Sequence, residues 1–195
     1  MEPRQVFASY LPSRSDAGEG YRYCPRCGRE LTSRTDGGLA RATCGGCGFT
    51  RYRNPLPGVV VLVEDEGRLL LGRRGAGSFR SGSWCLPGGF MEWSEDFLTA
   101  ARREVREETG LEVTIESVLS VVSNFLAPSL HTLVVVLLGR RCRGEMKAGD
   151  DLVELAWYPL SGPYPELAFE ADRHIIERYA EGGIAGAPVD PAYAR

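Results

Sequence analysis

Apolar residues along the chain follow two rhythms, separated by polar and glycine-rich connections. Val59 to Val63 is an unbroken apolar run, the pattern of a strand covered on both faces, and Leu69-Leu70-Leu71 is a second. Asp65-Glu66-Gly67 lies between them and reads as a turn, so the two runs predict a hairpin. Val113 to Val122 and Thr132 to Leu138 are further strand candidates. From Glu95 to Thr109 the rhythm becomes helical, with Phe97, Leu98, Ala101 and Val105 on one side. Ser94 is the expected N-cap, Glu95 and Asp96 suit the positive end of the helix dipole, and Gly110 is the stop signal. A last helix is predicted over 168–180, ended by Gly182-Gly183. Gly72 to Gly89 is loop-rich, and Asn54-Pro55-Leu56-Pro57-Gly58 reads as a stiff connector. Residues 1–20 form a polar stretch expected to be a mobile leader, and 183–195, with Pro188 and Pro191, an irregular tail.

The chain has 195 residues, 43% hydrophobic and 25% charged, which suits one ordinary domain with a small appendage and excludes wholesale disorder. Its net charge of -3 gives no global basic field, so nucleic acid is not an expected partner of the whole chain. Charge is uneven, however: residues 21–53 hold seven arginines against Glu30 and Asp36, so a basic module precedes an acidic remainder. The longest apolar run, Leu133 to Leu138, is far short of the ~20 residues of a membrane helix. No apolar stretch follows Met1 as in a secretory signal, and the expectation is a cytoplasmic protein without a membrane partner.

Six cysteines in a reducing compartment point to metal or catalysis before disulfides. Four fall in two pairs, Cys24-Pro-Arg-Cys27-Gly and Cys44-Gly-Gly-Cys47-Gly. Each Cys-x-x-Cys turn aims two thiolates at one centre, and two such knuckles complete a closed four-cysteine site typical of structural Zn2+. Two disulfides, or four idle thiols, are the alternatives. Cys85 and Cys142 are unpaired by spacing and read as ordinary buried thiols.

The densest chemistry lies on the first predicted helix. Glu104 and Glu108 stand one turn apart, with Glu107 beside them, so three carboxylates share a face within reach of one cation. Oxygen-only donors select Mg2+ or Mn2+ over zinc. Arg103, four residues before Glu107, is placed to orient a carboxylate that does not coordinate. A solvated face of alternating charge is the competing explanation. What outweighs it is the wider spacing: Gly89, five residues, Glu95, seven residues, Arg103-Glu104, Val105, one residue, Glu107-Glu108, one residue, Gly110, Leu111.

That spacing meets every fixed position of the Nudix box, and the chain resembles the Nudix hydrolases. Trp84-Cys-Leu-Pro-Gly-Gly89 is similar to the segment that leads into the box, and the ribbon followed by Tyr52-Arg-Asn54-Pro55 looks like the zinc-ribbon branch of NADH, FAD and ADP-ribose pyrophosphatase-like enzymes. The resemblance implies an α/β fold, a Nudix α/β/α sandwich with a mixed sheet over 54–182, preceded by a zinc ribbon over 21–53. It also implies Mg2+-dependent hydrolysis of a nucleoside diphosphate linked to another moiety. Glu104 and Glu108 would be the metal ligands, helped by Glu107 or Glu95 and by the carbonyl of Gly88. Asp151-Leu-Val-Glu154 is similar to the later segment that supplies a further ligand or base, which makes Asp151 and Glu154 the candidates. Arg73, Arg74 and Arg80 are candidate partners of the substrate's phosphates, with plain surface charge as the equal alternative, and Phe125 and Phe169 could stack on a purine, although a buried core role is the preferred reading of each. The family's NADH-specific branch carries a Ser-Gln-Pro-Trp-type motif, whereas this chain has Ser123-Asn124-Phe125-Leu126-Ala127-Pro128, which favours FAD, ADP-ribose or nucleotide sugars. A homodimer is also compatible with the resemblance. Two other classes compete: a non-catalytic nucleotide sensor, opposed by the complete carboxylate set, and a nucleic-acid module built on the basic ribbon.

Overall fold

The computed structural model describes residues 1–10, 20–190 and 192–193. In chain order its elements are β1 (Val6–Ala8), β2 (Thr32–Asp36), β3 (Leu39–Thr43), β4 (Leu56–Asp65), β5 (Arg68–Arg74), β6 (Trp84–Cys85), β7 (Gly88–Phe90), α1 (Phe97–Thr109), β8 (Leu111–Ala127), β9 (Leu130–Gly144), β10 (Leu152–Pro159), α2 (Glu170–Ala180) and β11 (Ala187–Pro188). They divide into two compact units, one drawn from residues 1–7, 56–124 and 132–195, the other from 8–55 and 125–131.

The larger unit is built on a nine-stranded mixed sheet in the order β1-β8-β9-β4-β5-β10, with β11 on β8, β6 on β5 and β7 on β4. β4 pairs in parallel with β9 and antiparallel with β5 and β7. Side chains alternate between the two faces, and both faces are covered. Val59, Val61 and Val63 of β4 join Leu70 and Leu137 against Leu98, Ala101 and Val105 of α1. Leu62, Leu69, Leu71, Val136 and Leu138 point the other way, toward Ile175 and Ile176 of α2. The result is an α/β/α sandwich, and double coverage is the reason β4 reads as a continuous apolar run. Its hairpin with β5 turns at Glu66 (φ 51°) and Gly67 (φ 75°), two successive left-handed residues that match the twist of the strands.

Several boundaries differ from the sequence expectation. α1 begins at Phe97, not Glu95, and its N-cap is Asp96, not Ser94. Asp96 outcompetes Ser94 because its carboxylate accepts from Leu98 N at 2.9 Å and Thr99 N at 3.0 Å. The connector is shorter than expected, since Leu56 to Gly58 extend β4 by pairing with β9. The first ten residues are not a free leader: Phe7 is buried in the core and β1 lies in the sheet. Residues 11–19 of that leader lie outside the described residues. In the tail, Ala187 and Pro188 pair with Val118 and Ser117 instead of remaining irregular. Cys85 is buried, but Cys142 is exposed.

The smaller unit contains the β2–β3 hairpin, in register from Thr32 with Thr43 to Asp36 with Leu39. Between residues 20 and 55 only Cys24 and Cys44 are buried. No apolar core holds this segment.

Candidate active site and cysteine centre

The cysteine centre repeats one local design twice. Cys24 N donates to Arg29 O and Gly28 N to Cys24 O, and in the same way Cys44 N donates to Phe49 O and Gly48 N to Cys44 O. The residue two beyond each leading cysteine points its N–H at that sulfur, Arg26 at Cys24 and Gly46 at Cys44, each 3.4 Å away. Gly28 and Gly48 have φ of 71° and 75°, the left-handed conformation that lets each knuckle close. The four sulfurs lie within 4.8 Å of one another, with Cys24–Cys47 at 3.6 Å and Cys27–Cys44 at 3.4 Å. A disulfide requires ~2.05 Å, and all four thiols are free. Four thiolates at ~2.3 Å from a tetrahedral ion would be separated by roughly 3.8 Å, so the donor set fits such an ion.

The second centre forms where α1, β7 and the 145–151 segment meet. The buried face of α1 carries two carboxylates in line with its apolar residues: Glu104 is 6% exposed and Glu108 2%. Glu108 Oε2 accepts the Gly88 N–H at 2.8 Å. A Cβ on Gly89 would lie 2.6 Å from Glu104 Oε1, so only glycine lets β7 pass this close to the carboxylate. At the other end, Lys147 N donates to Thr109 O and Gly149 N to Glu108 O, which satisfies carbonyls that the helix terminus leaves free. A Cβ on Gly149 would lie 2.4 Å from Glu107 O. This clasp sets Asp150, at φ 51°, against the helix, and carboxylate oxygens of Glu104, Glu108 and Asp150 lie within 4.8 Å of one another.

Arg103 ties the two ends of the box together. It donates from Nε and Nη2 to the two oxygens of Glu95 at 2.6 and 2.9 Å, from Nη1 to Glu104 at 2.8 Å and Glu107 at 3.1 Å, and from Nη2 to Phe90 O at 3.0 Å. The Arg103 guanidinium holds Glu95 below the usual carboxylate range. Burial raises Glu104, and burial together with Asp151 pushes Glu108 up to about 9. Two carboxylates buried this close repel each other; Arg103 offsets this at Glu104, and a divalent ion would offset it at both.

The remaining candidates are placed as follows. Asp151 bonds Arg74 Nη2 at 2.8 Å, and Glu154 bonds Arg73 Nε at 2.7 Å. Both arginines sit on β5 opposite β10, so the expected phosphate partners and the expected distal acids are paired with each other. Arg80 is exposed, with its guanidinium over Phe79. Phe169 stacks on Phe79 at 5.8 Å and lies under Arg74, while Phe125 meets His131 edge-on. Asp150 joins the grouping of Glu104 and Glu108, while Asp151, which also acts on Glu108, is paired with Arg74. The sequence reading missed Asp150, although Gly149 before the acidic pair was a sign of close backbone approach.

Residues 54–179 match the NUDIX domain family. The ADP-ribose pyrophosphatase of Methanocaldococcus jannaschii is 36% identical over 132 residues, which cover 67% of this chain and 76% of that protein. The NAD-capped RNA hydrolase NudC of Pseudomonas aeruginosa is 30% identical over 174 residues, 87% of this chain, and the match spans 60% of that relative's length. A crystal structure of a NUDIX hydrolase from Nitrosomonas europaea superposes with a TM-score of 0.74 at 28% identity, over 83% of this chain and 91% of its own. Box, sandwich and relatives agree, and the chain belongs to the NUDIX family as a Nudix pyrophosphohydrolase.

Proposed function

We propose that the protein hydrolyses, with Mg2+ or Mn2+, the diphosphate of a nucleoside diphosphate joined to a second moiety, and releases a nucleoside monophosphate. FAD, ADP-ribose, nucleotide sugars and NAD(H)-like dinucleotides form the substrate class, and the names of the two relatives support it. The observation that carries this reading is the oxygen-only grouping of Glu104, Glu108 and Asp150, held by glycine contacts on two sides. A bound dication supplies charge neutralisation of the diphosphate and a more acidic water. Glu104 and Glu108 would hold it from the buried side, the Gly88 N–H orients Glu108, and the Gly88 carbonyl is a further candidate ligand. Asp150 is the exposed member of the grouping, the position from which a carboxylate can take a proton from attacking water. Asp151 positions Arg74, and Arg103 positions Glu95 and Glu107, as the ion pairs described above suggest. Arg73 and Arg80 are the accessible donors for phosphate oxygens, the latter from the β5–β6 loop, whereas the three nitrogens of the largely buried Arg74 already donate to Phe79 O, Cys85 Sγ and Asp151. The four cysteines hold a structural Zn2+, which suits a protein of the reducing cytoplasm.

The test is incubation with Mg2+ and a panel of FAD, ADP-ribose, NAD, NADH, nucleotide sugars and nucleoside triphosphates, with products read by mass spectrometry. Metal-dependent release of a nucleoside monophosphate is expected, lost in Glu104→Gln and Glu108→Gln. Asp150→Asn should lower kcat more than Asp151→Asn. Ligand binding without turnover of any compound would make the protein a nucleotide sensor instead.

A further inference from the structure

One buried carboxyl is not used by the chemistry above. Asp172 of α2 is 5% exposed, beside Ala171, Ile175 and Ile176 of the apolar layer on that face of the sheet. An acid in the first turn suits the positive end of the helix dipole, but that role needs no burial, and the exposed Glu170 fills it already. What Asp172 meets is backbone: its Oδ2 accepts the Leu86 N–H at 3.1 Å. Two residues further on, the Gly88 N–H is held by Glu108 of α1, the helix on the opposite face. Between them Pro87 has no N–H, and its carbonyl accepts from Val61 N of β4 at 2.8 Å. Just upstream, Trp84 N donates to Glu166 O at 2.8 Å and Ala168 N to Trp84 O at 2.7 Å, so the chain entering α2 runs beside β6. Gly88 is also pressed onto β4, where a Cβ would lie 2.3 Å from Val59 O. Leu86, Pro87 and Gly88 are thus fixed in turn by α2, β4 and α1. A shift at Leu86 has no slack in which to die out before Gly88.

We infer that Asp172 is a positioning residue of the carboxylate centre: by holding the Leu86 N–H from the far side of the sheet, it sets the Gly88 peptide against Glu108. A carboxyl within an apolar layer is costly even when one N–H satisfies it, and a leucine would pack there at less cost. The place of the bond gives the carboxyl its use, because the peptide it steadies is the one that orients Glu108. Groups one step behind the ligands of a metal orient them, and removing such a group lowers metal affinity or activity by roughly 10–100-fold. The inference rests on the hydrolytic reading above, in that Glu108 is taken as a ligand, and does not depend on which small substrate is cleaved.

The test uses the full-length, zinc-loaded protein and Mn2+, with the free ion followed by electron paramagnetic resonance, so that binding is measured without turnover. Asp172→Leu should weaken Mn2+ binding about tenfold or more and lower kcat to match, with the substrate KM within about twofold of the parent. Asp172→Asn keeps an oxygen that accepts the Leu86 N–H, and should restore both to within about threefold. A purely structural role predicts instead an unchanged Mn2+ affinity in every variant that folds. A measurement on the parent protein needs no variant at all: added Mg2+ should slow hydrogen exchange of the Leu86 and Gly88 amides together. Unchanged Mn2+ affinity in Asp172→Leu overturns the inference, as does an equal loss in Asp172→Asn, or protection by Mg2+ confined to Gly88. If the parent binds Mn2+ with this pattern yet cleaves no compound of the panel, the hydrolytic reading falls and the positioning role stands. Absence of Mn2+ binding by the parent would remove both.

Discussion

The two units both gather electron-rich donors around a centre, yet they stand in opposite relations to their folds. In the cysteine unit the donors are nearly all that is buried, so the centre is the core. In the sandwich, two apolar layers hold the fold without help from Glu104, Glu108 or Asp150, and the first two are buried at a cost. On the function proposed above, one unit would depend on its centre to fold, and the other would bear the cost of its centre for the sake of chemistry.

Removing a donor should therefore act in opposite directions. Cys44→Ser, or chelation, should unfold the smaller unit, because structural zinc is worth about 10–16 kcal/mol in modules of this size. Circular dichroism and zinc release would record the loss, while the melting of the sandwich should remain. Simultaneous collapse of both units would break the comparison. Next in size, Glu108→Gln should abolish turnover by ~10³-fold or more, about 4 kcal/mol of transition-state stabilisation. The same change should raise the melting temperature of the magnesium-free protein, since it removes a buried carboxyl with a displaced titration. A fall in that temperature would show that the carboxylate supports the fold.

The pH dependence sharpens the same point. With Glu108 pushed up to about 9 from near 4.5, the folded protein keeps a proton that the unfolded chain releases. This contribution to stability is complete below about pH 4.5 and is lost as pH rises toward 9. Thermal melts of the metal-free protein should decline across that window, and the gain on adding Mg2+ should grow across it. A magnesium gain that does not vary with pH would contradict the assignment of Glu108 as a ligand. The smallest effect belongs to the helix that carries the site. Asp96→Ala should cost ~1 kcal/mol, a shift of a few degrees in the melting of the sandwich, with the cysteine unit unaffected.

Much of this was legible in the chain because the features are local. The two Cys-x-x-Cys knuckles are closed by hydrogen bonds spanning a few residues, and Glu104, Glu107 and Glu108 share a helix whose geometry follows from spacing alone. The helix start was not legible to two residues, because Ser94, Glu95 and Asp96 are all acceptable near an N-terminus and only the backbone path chose Asp96. Asp150 was hidden for a different reason. It reaches Glu104 and Glu108 through a clasp at the C-terminal end of α1, set by the Gly149 N–H to the Glu108 carbonyl. Nothing in the Asp150-Asp151 pair states which member faces the helix.

By itself, then, the amino-acid sequence determined the two donor sets and the apolar rhythm of the sandwich, since each rests on contacts within one turn, one knuckle or one strand. The tertiary structure decided which carboxylates converge and which arginine each acid meets. Arg74 claims Asp151 and Arg73 claims Glu154 only because β10 pairs with β5, and Arg103 claims Glu95 because the chain between them folds back at Asp96. Charges select their partners by distance, and distance between remote segments is a property of the fold.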